Sequence, residues 1–222
     1  ITREEMDAFA IESLTRAKTA IENGSLEAEI VPVTVKTRRG ETVIKDDEQP
    51  HKAAIDKIPK LRPAFAKEGT ITAANASSIS DGASALLLMS GTEAEARGLQ
   101  PMARIVAHAR HSQEPGEFTI APIGAMQKLF DRTGWTVDDV DLFEINEAFA
   151  MVTMLAMQDL GLDHGKVNVH GGACAQGHPI GSTGSRIIVT LMYALKKYGL
   201  QRGVAALCIG GGEATAVGIE LL

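Results

Sequence analysis

Residues 147–160, EAFAMVTMLAMQDL, recur at helical spacing and carry almost no charged face. A helix that is apolar all round must be covered all round. One face of a sheet covers one side only, so the chain is committed to a layered fold. The further layer over this helix must come from elsewhere, either another part of the protein or another subunit. Ile187 to Leu195 is apolar on most sides as well, so the same demand arises twice.

Around these two segments the second half of the chain alternates regularly. Met102 to Ala109 reads as a strand, Ala121 to Thr133 as a helix, Asp141 to Ile145 as a strand and Glu147 to Leu160 as a helix. Val167 to Val169 reads as a short strand and Ser182 to Tyr198 as a helix. Val204 to Ile209 and Ala214 to Leu222 are two strands separated by glycines. The spacing predicts a βαβαβαββ half-domain whose last pair is an antiparallel hairpin. The first hundred residues are less regular. Thr2-Arg3-Glu4-Glu5 is a capping box opening a helix that Gly24 stops. Glu29 to Thr37 and Glu41 to Lys45 predict a hairpin, with Pro32 marking an edge. Asp46 to Lys60 reads as loop and short helix, Gly82 to Ser90 as an isolated strand, and Glu93 to Arg97 as a short surface helix.

The chemistry points to two glycine-rich turns. Residues 169–184, VHGGACAQGHPIGSTG, hold five glycines in sixteen positions, which lets backbone approach a ligand closely. His178 stands in their midst. The second turn is Cys208-Ile209-Gly210-Gly211-Gly212, where a strand ends in a thiol. A histidine in one glycine loop and a cysteine at the mouth of another suit acid–base or nucleophilic chemistry beside backbone N–H groups. Neither loop is a nucleotide fingerprint: the first lacks the lysine of a phosphate-binding loop, and G-x-G-x-x-G does not occur.

Composition excludes little else. A formal charge of −6 on 222 residues gives no basic stripe for nucleic acid. Two cysteines, Cys174 and Cys208, make neither a disulfide framework nor a zinc pair, which fits a reducing, cytoplasmic setting with no metal. No apolar run reaches membrane-spanning length. Because the sequence opens on Ile1 and enters a helix at once, it reads as a piece cut from a longer protein.

Asn146-Glu147-Ala148-Phe149, Gly177-His178-Pro179-x-Gly181 and Cys208-x-Gly210-Gly211-Gly212, in this order on a βαβαβαββ frame, resemble the C-terminal part of the thiolases. Asp81-Gly82-Ala83 and the stretch Lys60 to Phe65 extend the likeness upstream. It resembles most the short-chain acetyl-CoA acetyltransferases. The resemblance implies an α/β, thiolase-like fold of two such halves with buried central helices. Residues 1–78 would be the later part of an inserted loop domain, 79–100 the end of the N-terminal half, and 101–222 the C-terminal half. The nucleophilic cysteine of the family lies in the N-terminal half, upstream of Ile1.

By the same resemblance His178 and Cys208 are catalytic, His178 lowering the thiol pKa of the nucleophile and Cys208 exchanging a proton with C2 of acetyl-CoA. Asn146 and Gly210 contribute to oxyanion holes, although Asn146 could equally cap a helix beginning at Glu147. Phe65, Ala73, Ser77, Phe118 and Phe149 would line the substrate. Cys174 reads as packing. The implied reaction is the reversible joining of two acetyl-CoA into acetoacetyl-CoA and CoA, with no cofactor beyond the coenzyme A thioester itself. The implied partners are acyl-CoA, CoA, the missing N-terminal half and further copies in a homodimer or homotetramer. A longer-chain 3-ketoacyl-CoA thiolase and a noncatalytic CoA- or lipid-binding relative are the alternatives.

Overall fold

A computed structural model describes all residues, Ile1–Leu222. Thr2 caps α1 (Arg3–Glu22) as its sequence predicts: its hydroxyl accepts from the Glu5 N–H, and the Glu5 carboxylate accepts from the Thr2 N–H. The hairpin of β1 (Val33–Thr37) and β2 (Gly40–Ile44) forms, but every one of its residues is exposed. Val31 lies outside it. After α2 (Glu48–Lys52) and a 3₁₀ turn, the chain reaches α3 (Gly91–Ala96) without the strand expected at Gly82 to Ser90. That segment has apolar side chains but no pairing partner, and Leu87 and Leu88 stand open to solvent.

The remainder forms a mixed sheet of β3 (Ala103–Ser112), β4 (Leu142–Ile145), β5 (Arg202–Ile209) and β6 (Glu213–Leu221) in the order β3-β6-β5-β4. The helices α4 (Ala121–Thr133), α5 (Ala150–Leu160), α6 (Ala173–Gln176) and α7 (Thr183–Tyr198) lie between and beside these strands in sequence. Only β4 and β5 pair in parallel; β5 and β6 are the expected antiparallel hairpin. Val167 makes a single bridge to Phe143 in place of the predicted third strand. The reason is Asn168, the one non-glycine residue at positive φ (+48°), which turns the chain away.

Strand alternation sorts the core into two faces. Phe143, Ile145, Val204, Ala206, Ala214 and Ala216 pack with Met126 and Leu129 of α4. On the other face Leu142, Ala205 and Ile219 pack with Ile187, Leu191 and Leu195 of α7. The cover for α5 comes partly from the chain itself, since Met6 and Phe9 of α1 pack on Ala150, with Met151 and Met154 against them. Met151, Met154 and Leu155 are still only half-buried.

Candidate active site

The carboxyl ends of β4 and β5 lie side by side, and the chemistry gathers there. Asn146 extends the pairing by one step, its N–H donating to the Ala206 carbonyl. It is therefore no helix cap. Phe149 is extended (φ −136°, ψ 150°), and α5 begins only at Ala150. What holds it out is the upstream segment 75–79. Ala76 bridges Phe149, the Ser77 N–H and hydroxyl donate to Ala148 O, and Ile79 bridges His178. Ser77 thus runs between the two motifs.

His178 and Asn146 meet, Nε2 to Nδ2, at 3.4 Å. On the other side of the ring Nδ1 lies 2.7 Å from the Thr183 hydroxyl, which itself donates to Pro179 O. With its one proton committed, that hydroxyl accepts from Nδ1–H, which assigns the lone pair of the neutral imidazole to Nε2. Burial, followed by the positive charge of Arg186, holds His178 below the ordinary histidine value. The arrangement presents a neutral base toward Asn146, whose own Oδ1 is buried without a protein partner.

Cys208 lies one residue from the end of β5, at the same end of the sheet. Burial pushes its thiol up to about 11, so it rests protonated. Beyond it Gly210 is exposed, and no atom approaches the position a side chain would take. Phe118 and Phe149 face each other edge-on at 6.3 Å between ring centres. Phe65 (78% exposed) and Ala73 are left on the surface.

Glu147 is not a helix-entry acid. It is fully buried beneath the glycine loop, where its carboxylate accepts from the Ser13 hydroxyl (2.7 Å), Asn168 Nδ2 (2.8 Å) and the Cys174 N–H (3.0 Å). Burial raises its pKa, and these donors act against the rise. The same residues explain two glycines. A Cβ on Gly172 would strike the Glu147 carboxylate, and one on Gly171 (φ +77°) would lie 2.8 Å from the Ala17 nitrogen of α1. The Cys174 thiol is buried against Glu147 and raised well above its usual value, as suits a packing residue. Sequence reading missed Thr183, Asn168 and Ser13. The only local signal was the preference of asparagine for left-handed backbone at Asn168.

His170, 2% exposed, is pushed down from 6.5 to about 4 by burial and by Lys197. Between those values the unfolded chain binds the proton and the folded chain does not, so this residue withdraws stability as pH falls. The destabilisation caused by His170→Gln should therefore shrink between about pH 7 and about pH 5. Urea midpoints of both proteins at each pH check this; a constant difference would remove the assignment.

A cavity of about 570 Å³ is bordered by Arg16, Asp141, Lys166 and Tyr198 at the opposite end of β4. Arg16 and Lys166 are already engaged by backbone carbonyls there, so it has little to offer a ligand.

Residues 99–221 match the family model described as thiolase, C-terminal domain, and residues 1–92 that of the thiolase N-terminal domain. The chain is 48% identical over 224 residues to an acetyl-CoA acetyltransferase of Syntrophomonas wolfei, aligning over 100% of its own length and 57% of the relative's. It superposes on the crystal structure of the Bacillus anthracis acetyl-CoA acetyltransferase with a TM-score of 0.96 at 46% identity, covering 100% of this chain and 57% of that one. On human mitochondrial 3-ketoacyl-CoA thiolase the TM-score is 0.92 at 37% identity, with 100% and 56% covered. The chain thus spans little more than half the length of these relatives. A chain whose Asn146 and His178 meet at the carboxyl end of β4, with Cys208 near the same end of β5, and which the two family models match along nearly its whole length, belongs to the thiolase family.

Proposed function

We propose that this chain supplies the proton-transfer half of an acetyl-CoA acetyltransferase, in which a thiolate from residues outside this sequence takes the acyl group. The observation that carries the reading is the Asn146–His178 pair, in which Nε2 is unprotonated and accepts from the Asn146 amide. His178 Nε2 takes the proton of the nucleophilic thiol and returns it to the sulfur of departing CoA as the acyl-enzyme forms. The imidazolium and Asn146 donate to the thioester oxygen while it is negative, and Gly210 N–H serves the acyl-enzyme carbonyl. In thiolysis the C–C bond of acetoacetyl-CoA breaks, and the resting Cys208 thiol gives its proton to the C2 carbanion. In condensation Cys208 first passes its proton to neutral His178, and the resulting thiolate takes the C2 proton. The imidazolium returns its proton to the nucleophile's sulfur as the C2 carbanion displaces it from the acyl carbon.

Phe118, Phe149 and Ser77 line the approach of the acyl-CoA in this proposal. Phe65 and Ala73 would touch it only from the surface. The exposed apolar residues Ile79, Leu87 and Leu88, with the uncovered β1–β2 hairpin, support a covering N-terminal half and a homodimer or homotetramer. Free Cys174 and Cys208 favour a cytoplasmic setting. The likeness to the human 3-ketoacyl-CoA thiolase keeps a longer-chain substrate as the second reading; turnover against acyl-chain length separates the two.

Cys208→Ser, in the enzyme completed with its nucleophile-bearing half, should lower condensation roughly 10²–10⁴-fold. The burst of CoA released on acylation should persist, because that step does not use Cys208. Equal losses in both half-reactions would remove its role.

A further inference from the structure

Below the Asn146–His178 pair lies an ionic cluster that the proposed chemistry does not use. Residues 142, 144 and 146 of one extended segment point to the α7 side of the sheet, so the Glu144 side chain stands one step beneath Asn146. On α7, Arg186 follows Thr183 by three positions and shares its face. Glu144 and Arg186 are thus the deeper counterparts of Asn146 and of the threonine that orients His178. They approach each other, Nη1 to Oε2, at 3.7 Å.

The cluster is poorly satisfied for a structural ion pair. Arg186 Nη1, Glu144 Oε1 and Glu29 Oε2 are all buried without a hydrogen-bond partner. Glu29 reaches the cluster by accepting from Thr190, one turn further along α7. Arg186 faces Glu29, Asp47, Glu144, Glu147 and His178, and is the one cation among them. Burial pushes Glu144 up to about 8 and Glu29 up to about 7. Glu144 then keeps its proton at neutral pH, so this partner cancels little of the guanidinium charge. A pair built only for cohesion gains most when both members are ionised and hydrogen-bonded; this one meets neither condition.

We infer that Arg186, seated on Glu144, is a positioning residue for the Asn146–His178 pair, and that the pair depends on its positive charge. The role rests on the thiolase reading of His178, but its test needs no turnover, so failure of one is distinct from failure of the other. The probe is diethylpyrocarbonate, which modifies unprotonated imidazole. Its rate at His178, read by peptide mass spectrometry across about pH 5 to 8, gives the ring's midpoint. Arg186→Met, which keeps length and loses charge, should raise that midpoint by roughly half to one pH unit, and Arg186→Lys should leave it near wild type. The double variant Arg186→Met with Glu144→Leu replaces the pair by apolar side chains and should show the same rise. An unchanged midpoint in a folded charge-free variant would overturn the inference, as would a lysine variant that behaves like methionine. So would failure of both charge-free variants to fold, since the cluster would then be cohesive rather than electrostatic.

Discussion

Replacing Glu147 with alanine is expected to cost the chain several kcal/mol, a large part of its folded stability. The carboxylate is the shared acceptor for Ser13, Asn168 and the Cys174 N–H, all at a site closed to water. Each buried donor left without a partner costs about 1–3 kcal/mol, so three cost roughly 3–9. Net stabilities of whole domains are only about 5–15 kcal/mol. Ser13 also accepts from the Gly172 N–H, so the same knot fastens the loop that leads to His178 onto α1. Glu147→Gln should fall between wild type and alanine. Its oxygen can serve Ser13 and Cys174, but its amide would face the Asn168 amide, which is fixed by bonds to both backbone groups of Ile145. Urea unfolding followed by circular dichroism measures all three. An alanine variant within about 1 kcal/mol of wild type would show that the knot is ornamental.

His178→Gln should have the largest effect on activity and a small one on the fold. In the completed enzyme, CoA release from acetyl-CoA should fall roughly 10²–10⁴-fold, the usual contribution of a placed general base. The ring is only half-buried, and the main-chain bond from His178 N–H to Ser78 O survives the change. Matching unfolding midpoints with lost acyl transfer is the expected pair of results. Retained acyl transfer would leave the Asn146–His178 contact without a chemical role.

These sites were unevenly legible in the sequence. The helix at Ala121–Thr133, the final hairpin and the Thr2 capping box were readable because their causes are local: apolar period, glycines and a four-residue cap. The start of α5 was not. Phe149 stays extended because Ala76, far upstream, pairs with it, and no spacing within the motif reports that. Gly82 to Ser90 has strand composition, but a strand also needs an edge to pair with, and none is available to it here. Asn146, His178 and Cys208 were recognisable by their motifs, while Thr183, Ser13 and Arg186 act through partners that only the folded chain brings near. Glu144 carried a signal of its own, a lone charge in an apolar strand, without revealing its partner.

The seat of α1 on the glycine loop has a consequence for how the molecule forms. The bonds joining Ser13 to Glu147 and to Gly172 span 134 and 159 positions of the chain. Contacts of such long separation require a large loop to close first, and they lag behind local helices and hairpins. The mouth of the site is therefore a late product of folding. Until the loop closes, Met6 and Phe9 of α1 lack Ala150 and His164, the partners they pack on in the folded chain. An emerging polypeptide presents those side chains to its surroundings while more than a hundred further residues are still being made, so α1 needs protection from premature association.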